Sequence, residues 1–144
     1  MVKIPTEQTV WKIAAIGFGL IVSIAIIFIM QFINHSLYTA IDGVSIENKE
    51  QYSAFIHNNP LYLLGVLISN AAGSFTGGAV AKLIRNDITA QQACVVGLVL
   101  MILAYVNIVA VSHPGWFWIL SVFAFIPFSW YGALFIQKQI NKIT

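Results

Sequence analysis

The sequence carries very little charge. Only 8% of its 144 residues are Asp, Glu, Lys or Arg, whereas a soluble domain carries about 25%. With 59% hydrophobic residues and a mean hydropathy of +0.85, a water-soluble fold of this size would leave too much apolar surface in water. The shortage of charge excludes an ordinary soluble domain. It predicts an integral membrane protein, with residues 1–144 forming a single transmembrane domain whose main partner is the lipid bilayer.

Other features that carry chemistry are also absent from the sequence. The single cysteine, Cys94, cannot form an internal disulfide. A net charge of +2 is too small to indicate a nucleic-acid partner. There is no phosphate-binding glycine loop, no nucleophile beside a base and no pair of carboxylates within an apolar run. We therefore expect no catalytic activity and no cofactor.

Apolar runs long enough to cross a bilayer, which takes about 20 residues, occur four times. The predicted helices cover about 10–37, 60–85, 89–111 and 114–139. Pro60 and Pro114 suit the first turns of two of them, and Thr89 with Gln92 predicts a capping box. The sequence thus predicts an all-α protein, an antiparallel four-helix transmembrane bundle.

Two local features qualify this bundle. The only long connection, the predicted outer loop 38–59, contains a predicted short helix that Ser45 caps and that ends near Ile56. Pro127 falls in the middle of the last apolar run and predicts a kink. We expect Ser121 or Ser129 to satisfy the carbonyl that the proline frees, because lipid offers no other partner.

Basic residues are distributed unevenly between the two ends of the predicted helices. With a cytoplasmic N-terminus, the outer side holds one of the seven Lys and Arg residues, Lys49. The inner side holds Lys3, Lys12, Lys82, Arg85, Lys138 and Lys142. Cytoplasmic loops carry the excess of Lys and Arg in membrane proteins. The pattern predicts a multi-pass protein of a cell membrane, a bacterial inner membrane, with both termini inside.

Small residues recur every four positions in the second predicted helix. They are Gly65, Ser69, Gly73, Gly77 and Ala81, called the small-residue row below. Helices in lipid associate through close backbone contact, which small residues permit. Because such a row drifts by about 40° per step, we expect the tight contact at Gly73 and Gly77 against a crossed neighbour, with Gly65 and Ala81 facing other helices. The row favours a function by association, as a homo-oligomer or an accessory subunit.

Polar side chains inside the predicted spans offer an alternative. Asn70, Ser74 and Thr76 lie in the second predicted helix, and Asn107 lies in the third. Such residues form hydrogen bonds between helices or line a path through them. A channel or carrier for a small ion or solute is therefore the second functional hypothesis.

Histidines and tryptophans gather on the predicted outer side. His35, His57 and His113 are possible ligands for a metal or a small molecule, although their spacing matches no known metal signature. An outer-face histidine site is the third hypothesis. His113 also opens an aromatic turn with Trp116 and Trp118, and these three residues are predicted to anchor the helix at the membrane–water interface.

Two stretches carry a resemblance to a known family. The segments 73–81 and 113–117, followed by Pro127 and Gly132, resemble a small family of four-helix bacterial membrane proteins with no established activity. The likeness extends over the second to fourth predicted helices and implies an architecture only.

A weaker resemblance concerns the second predicted helix alone. Asn70, the run 73–75 and Gly78 are similar to the second-helix pattern of small fluoride channels. The third predicted helix lacks the Phe-Ser-Thr element of those channels. What this resemblance implies is the channel hypothesis already given.

Overall fold

A computed structural model describes residues 6–42 and 48–143, and over these residues the protein has five helices and no strand. The helices are α1 (Glu7–Asp42), α2 (Lys49–Asn58), α3 (Pro60–Ile84), α4 (Ala90–Ala110) and α5 (Gly115–Ile143). The prediction of an all-α protein is confirmed.

Three of these helices are long and apolar enough to cross a membrane. The apolar segments are Glu7–Tyr38, Pro60–Ile84 and Gly115–Lys142. α4 is also apolar, with 21 residues, and its segment Ala90–Val106 is shorter than the other three. The composition of these helices is that of a membrane protein.

The long connection between the first two spans is shorter than expected. α1 continues to Asp42, and α2 occupies the last part of the predicted loop 38–59. α2 begins at Lys49 with Asn48 as its cap, whose side-chain oxygen accepts a hydrogen bond from the amide of Gln51 at 3.2 Å. The predicted cap, Ser45, lies outside the described residues. α2 therefore begins after the position that the sequence indicated, and it ends at Asn58, two residues beyond the predicted end near Ile56.

The start of α4 agrees with its prediction. The backbone amide of Thr89 donates to the side chain of Gln92 at 3.0 Å, and the amide of Gln92 donates to the Thr89 hydroxyl at 3.2 Å. This reciprocal pair satisfies two free amides at the helix N-terminus. The capping box is confirmed.

The serines near Pro127 have other partners than predicted. α5 continues through Pro127 as one helix. The hydroxyl of Ser121 donates to the carbonyl of Phe117 at 2.7 Å, and that of Ser129 donates to the carbonyl of Ala93 in α4 at 2.6 Å. Neither serine satisfies the carbonyl that the proline frees, so that prediction is wrong. Ser129 instead joins α5 to α4.

α3 is the central helix of the fold. It packs against α1 along one flank and against α5 along the other, and over the described residues α1 and α5 do not contact each other. α4 packs on α5 and touches α3 and α1, while α2 lies against α3. One face of α3 is therefore covered by α4, and no helix in the described chain covers the opposite face.

Two buried clusters hold this arrangement together. The first surrounds Ala81, Val96 and Phe125, where α1, α3, α4 and α5 meet. The second packs α2 against α3 and α5, and within it stacked and edge-on rings join α1, α2 and α3. Its rings, called the aromatic cluster below, are Tyr38, Tyr52, Phe55, Tyr62 and Phe117. The hydroxyls of Tyr52 and Tyr62 lie 2.9 Å apart and form a hydrogen bond within it. The cluster fixes α2 against the first turns of α3.

Candidate functional site

The small-residue row packs on α1 of the same chain. A side chain added at Gly77 would meet Ser23 and would lie 2.8 Å from the carbonyl oxygen of Gly19. One added at Gly73 would meet Ile27 and would lie 2.9 Å from the carbonyl oxygen of Ser23. Contacts this short are possible only where a residue has no side chain beyond hydrogen. Gly73 and Gly77 are therefore in close contact with α1.

The two ends of the row face the same helix as its centre. A side chain added at Gly65 would meet the amide group of Asn34, and one added at Gly19 would lie 3.2 Å from Cβ of Ala81. The prediction that Gly65 and Ala81 face other helices is wrong. Its reason is that α1 carries a four-residue row of its own, at Gly19, Ser23 and Ile27, so the two rows drift together around their helices. We call this contact the α1–α3 seam.

Towards its Gly65 end, the seam is crossed by hydrogen bonds from amide side chains. The side-chain nitrogen of Gln31 donates to the side-chain oxygen of Asn70 at 3.0 Å, and that of Asn34 donates to the backbone carbonyl of Tyr62 at 3.1 Å. Asn70 is buried, with 4% of its surface exposed. Sequence reasoning missed Gln31 and Asn34, although an amide inside an apolar run is a signal for such a bond.

The predicted polar niche is brought together only in part. Asn70 and Ser74 lie one turn apart on the same side of α3. Ser74 is fully buried, and its hydroxyl has no hydrogen-bond partner among the described residues. Thr76 points elsewhere and donates to the carbonyl of Ala72 in its own helix at 2.8 Å. The side chain of Asn107 lies outside the described part of the chain.

The turn between α3 and α4 contains a buried cation. Lys82 has 4% of its surface exposed, and its ammonium group donates to the carbonyls of Asn86 at 2.6 Å and Ile88 at 2.7 Å. Hydrogen bonds to a charged group are stronger than neutral ones. The lysine therefore fixes the turn and also offsets the partial negative charge at the end of α3.

An ion network joins the same turn to α1. Arg85 donates to both carboxylate oxygens of Asp87, at 2.9 and 3.0 Å, and the ammonium group of Lys12 lies 3.3 Å from the same carboxylate. The hydrogen bonds from Arg85, with a smaller contribution from Lys12, lower the pKa of Asp87 to about 2. The carboxylate therefore links the start of α1 to the end of α3.

A groove lies at the other end of the molecule, beside α2. We call it the α2 groove; it has a volume of about 500 Å³ and is lined by Lys49, Glu50, Ser53, Ala54, His57, Val111 and Ser112. The hydroxyl of Ser53 donates to the carbonyl of Ser112 at 3.3 Å, which ties α2 to the chain after α4. His57 donates from Nδ1 to the carbonyl of Ser53 at 2.8 Å, because a carbonyl can only accept. Its Nε2 is left to accept a hydrogen bond.

The three histidines are not brought together. The ring of His35 lies edge-on to Tyr62, whereas His57 lines the α2 groove and His113 stacks on Phe117 with ring centres 5.0 Å apart. Over residues 6–42 and 48–143, no three His, Cys, Asp or Glu side chains are placed to hold a metal ion. The three-histidine metal site therefore lacks geometric support.

The predicted interface anchor has a defined packing. His113 bonds through Nδ1 to the carbonyl of Val111 at 2.7 Å. Trp116 remains 38% exposed, and Trp118 lies edge-on to Tyr105 with ring centres 5.6 Å apart. Exposed tryptophan at the end of an apolar helix is the arrangement of an interfacial belt.

The contact between α4 and α5 opens into a cleft. A side chain added at Gly97 would lie 2.6 Å from the carbonyl oxygen of Phe125, so the two helices touch there. Beyond this point they leave an almost wholly apolar space of about 430 Å³, here called the α4–α5 cleft. Met101 and Tyr105 line it from α4, and Trp118 and Val122 line it from α5. No pattern in the sequence predicts this cleft.

Comparisons with known proteins add no assignment to these sites. No known protein family, no curated protein and no solved structure matches the chain. The two family resemblances noted from the sequence stay predictions.

Proposed function

We propose that the chain spans a bacterial inner membrane four times, with both termini in the cytoplasm, and acts without catalysis by associating with a second copy or another membrane protein. The observation that carries the proposal is the uncovered face of α3. Helices in a membrane associate through faces whose small residues allow close backbone contact.

The uncovered face can be followed along α3. Gly77 faces α1 and α4, and Gly78 lies against the backbone of Ser129 in α5. The residues opposite these two include Leu61, Ile68 and Leu83, whose surfaces are 67%, 62% and 65% exposed. Ala72 and Thr76 lie between them and are small, so a further helix can approach the backbone of α3 there. This face, unlike the small-residue row, is free to bind a partner.

The basic residues support the proposed orientation. Lys12, Lys82 and Arg85 gather where the start of α1 meets the end of α3, and Lys49 lies at the opposite end in the α2 groove. An excess of Lys and Arg at one end is the signature of the cytoplasmic side.

Cross-linking in isolated membranes tests the association. In a Cys94→Ser background, Thr76→Cys places one thiol on the uncovered face. Ile24→Cys, on the exposed side of α1 (47% exposed), is the matched control. We expect oxidation to link Thr76→Cys to a second copy, and a thiol-specific cross-linker to link it to a partner if that partner is another protein. A Thr76→Cys protein that forms no more adducts than the Ile24→Cys control contradicts the proposal.

Transport is the second candidate, and one observation favours it. The fully buried hydroxyl of Ser74 lies beside Asn70 and has no hydrogen-bond partner in the described chain. A buried hydroxyl of this kind is satisfied when a water or an ion binds it. Ion flux into liposomes tests this reading. We expect Asn70→Leu to abolish flux if it exists, and Gln137→Leu, an exposed amide near the end of α5, to leave it unchanged. Absence of flux for the unaltered protein rejects the candidate.

A further inference from the structure

The α2 groove presents charges of both signs to the same space. Lys49, Ser53 and His57 follow each other every four residues along α2 and form one side of the groove. Glu50 lines it as well. Within the described chain neither Lys49 nor Glu50 forms an ion pair. The groove therefore offers a cation, an anion and an imidazole nitrogen to a ligand.

The opposite side of α2 is fully engaged, which fixes the groove in place. Phe55 and Ile56 are buried, with 5% and 0% of their surfaces exposed, and Tyr52 bonds to Tyr62. The bond from Ser53 to Ser112 ties the groove side of α2 to the chain after α4. Lys49 and His57 are thus carried on a helix that the aromatic cluster holds rigidly.

The depth of the groove places it among lipid headgroups. Val111, which lines it, directly follows the last residue of α4. Trp116 and Trp118 lie at the same end of α5, and tryptophans of this kind mark the headgroup level of a membrane. The part of a membrane lipid that lies at this depth is its headgroup, so a lipid that reaches the groove binds there by its headgroup.

An apolar site for the chain of such a lipid lies next to it. Trp118 lines the α4–α5 cleft, and both Trp118 and Val111 pack against the aromatic cluster, so groove and cleft meet on that cluster. From Tyr105 in the cleft to Val111 in the groove is six residues, roughly 9 Å along a helix axis. That separation matches the short distance between a headgroup phosphate and the first part of an acyl chain.

We propose that the α2 groove and the α4–α5 cleft together bind one phospholipid with a zwitterionic headgroup. Its phosphate lies at Lys49, its ammonium group lies at Glu50 and the accepting Nε2 of His57, and an acyl chain fills the cleft. A headgroup with phosphate and ammonium groups satisfies the charges of the groove, whereas an anionic headgroup leaves Glu50 facing a like charge. The proposal rests on the membrane placement given above, and it is independent of what covers α3.

Native mass spectrometry of the delipidated protein in detergent tests the site. The probes are phosphatidylethanolamine and phosphatidylglycerol with identical chains, and free phosphoethanolamine as competitor. We expect phosphatidylethanolamine to bind at least about tenfold more tightly than phosphatidylglycerol, because a charge-assisted hydrogen bond contributes about that factor. Equal binding of the two lipids overturns the choice of headgroup. Free phosphoethanolamine that competes as well as the lipid overturns the contribution of the cleft.

Two pairs of variants separate the groove from the cleft. Lys49→Gln should weaken phosphatidylethanolamine binding about tenfold, and Lys138→Gln, at the other end of the protein, should not change it. Val122→Trp should weaken binding by filling the cleft, and Val95→Trp, also exposed but outside the cleft, should not. Melting temperatures equal to that of the unaltered protein show that each variant is folded. Unchanged lipid binding in Lys49→Gln and Val122→Trp overturns the proposal. Because the readout is lipid bound to the purified protein, it does not depend on cross-linking at Thr76→Cys, which tests association.

Discussion

The α1–α3 seam and the contact between α4 and α5 are built from the same kind of residue but have different shapes. In the seam, rows on both helices repeat every four residues, and the two backbones are close from Gly73 to Ala81. Between α4 and α5, Gly97 allows one close approach and the helices then part around the α4–α5 cleft. A glycine makes a contact at one point. Only matched rows extend that contact along two helices.

The largest expected effect comes from breaking the centre of the seam. Gly77→Leu places a side chain against Ser23 and the backbone of Gly19, where nothing can move aside cheaply. We expect a loss of about 3 kcal/mol in the free energy of unfolding, at the upper end of the cost of overpacking. Unfolding in detergent measures it. Gly17→Leu is the control, because no atom lies within 4 Å of a side chain added there. Equal stability of the two variants contradicts the seam.

A smaller effect is expected at the α4–α5 contact. Gly97→Leu meets the backbone of Phe125 and Ile126, but these helices have an adjacent cleft into which they can separate. We expect a loss of about 2 kcal/mol, measured in the same way. A cost larger than that of Gly77→Leu reverses the comparison, since it makes the single contact the stronger one.

The hydrogen bonds between amide side chains in the seam should contribute less to the free energy of unfolding than either glycine contact. Asn70→Leu removes the hydrogen bond from Gln31 and leaves that amide unpaired among apolar side chains. We expect a cost of about 1 kcal/mol, because hydrogen bonds between membrane helices are weak on average. A double-mutant cycle with Gln31→Leu isolates the pair. A coupling energy of zero shows that the two amides do not interact.

The smallest effect concerns pH at the end of the seam. Arg85, and to a smaller extent Lys12, lowers the pKa of Asp87 to about 2. A lowered pKa in the folded state means that the stabilisation is complete above the ordinary carboxyl pKa of about 4 and is lost as the pH falls towards 2. We expect the melting temperature of Asp87→Asn to change less between pH 4 and 2 than that of the unaltered protein. A variant with the same acid dependence as the unaltered protein rules out this carboxylate as its source.

Three of the four predicted spans are helices long and apolar enough to cross a membrane, and their signal in the sequence is local. Runs of apolar residues, proline at the first turn of α3 and the Thr89–Gln92 capping box depend only on neighbours in the chain. Gly73 and Gly77 were found for the same reason. Their partners were not, because the matching row on α1 is interrupted by Ile27 and does not read as a row of small residues.

The remaining sites were missed because they depend on packing between distant segments. Lys82 looks like an ordinary basic residue at a helix end, and only the fold of the turn shows it bonded to two carbonyls. The α2 groove joins residues about 60 positions apart, as in the bond from Ser53 to Ser112. The three histidines, which share the predicted outer side, are separated by the same packing. The position of a residue along an apolar run indicates its depth in the membrane. It does not indicate which side chain of another helix the residue contacts.

The most direct test asks whether the small-residue row contacts α1 of the same chain. Gly65→Cys and Asn34→Cys, in a Cys94→Ser background, place two thiols where a Cβ at position 65 would lie 2.7 Å from the side-chain carbon of Asn34. Because the sulfur of Asn34→Cys takes the place of that carbon, the two thiols lie within reach of a disulfide bond. Oxidation in membranes followed by intact-mass measurement should give a monomer two hydrogens lighter, with no linked dimer. A disulfide that joins two chains, or two free thiols after oxidation, contradicts the account.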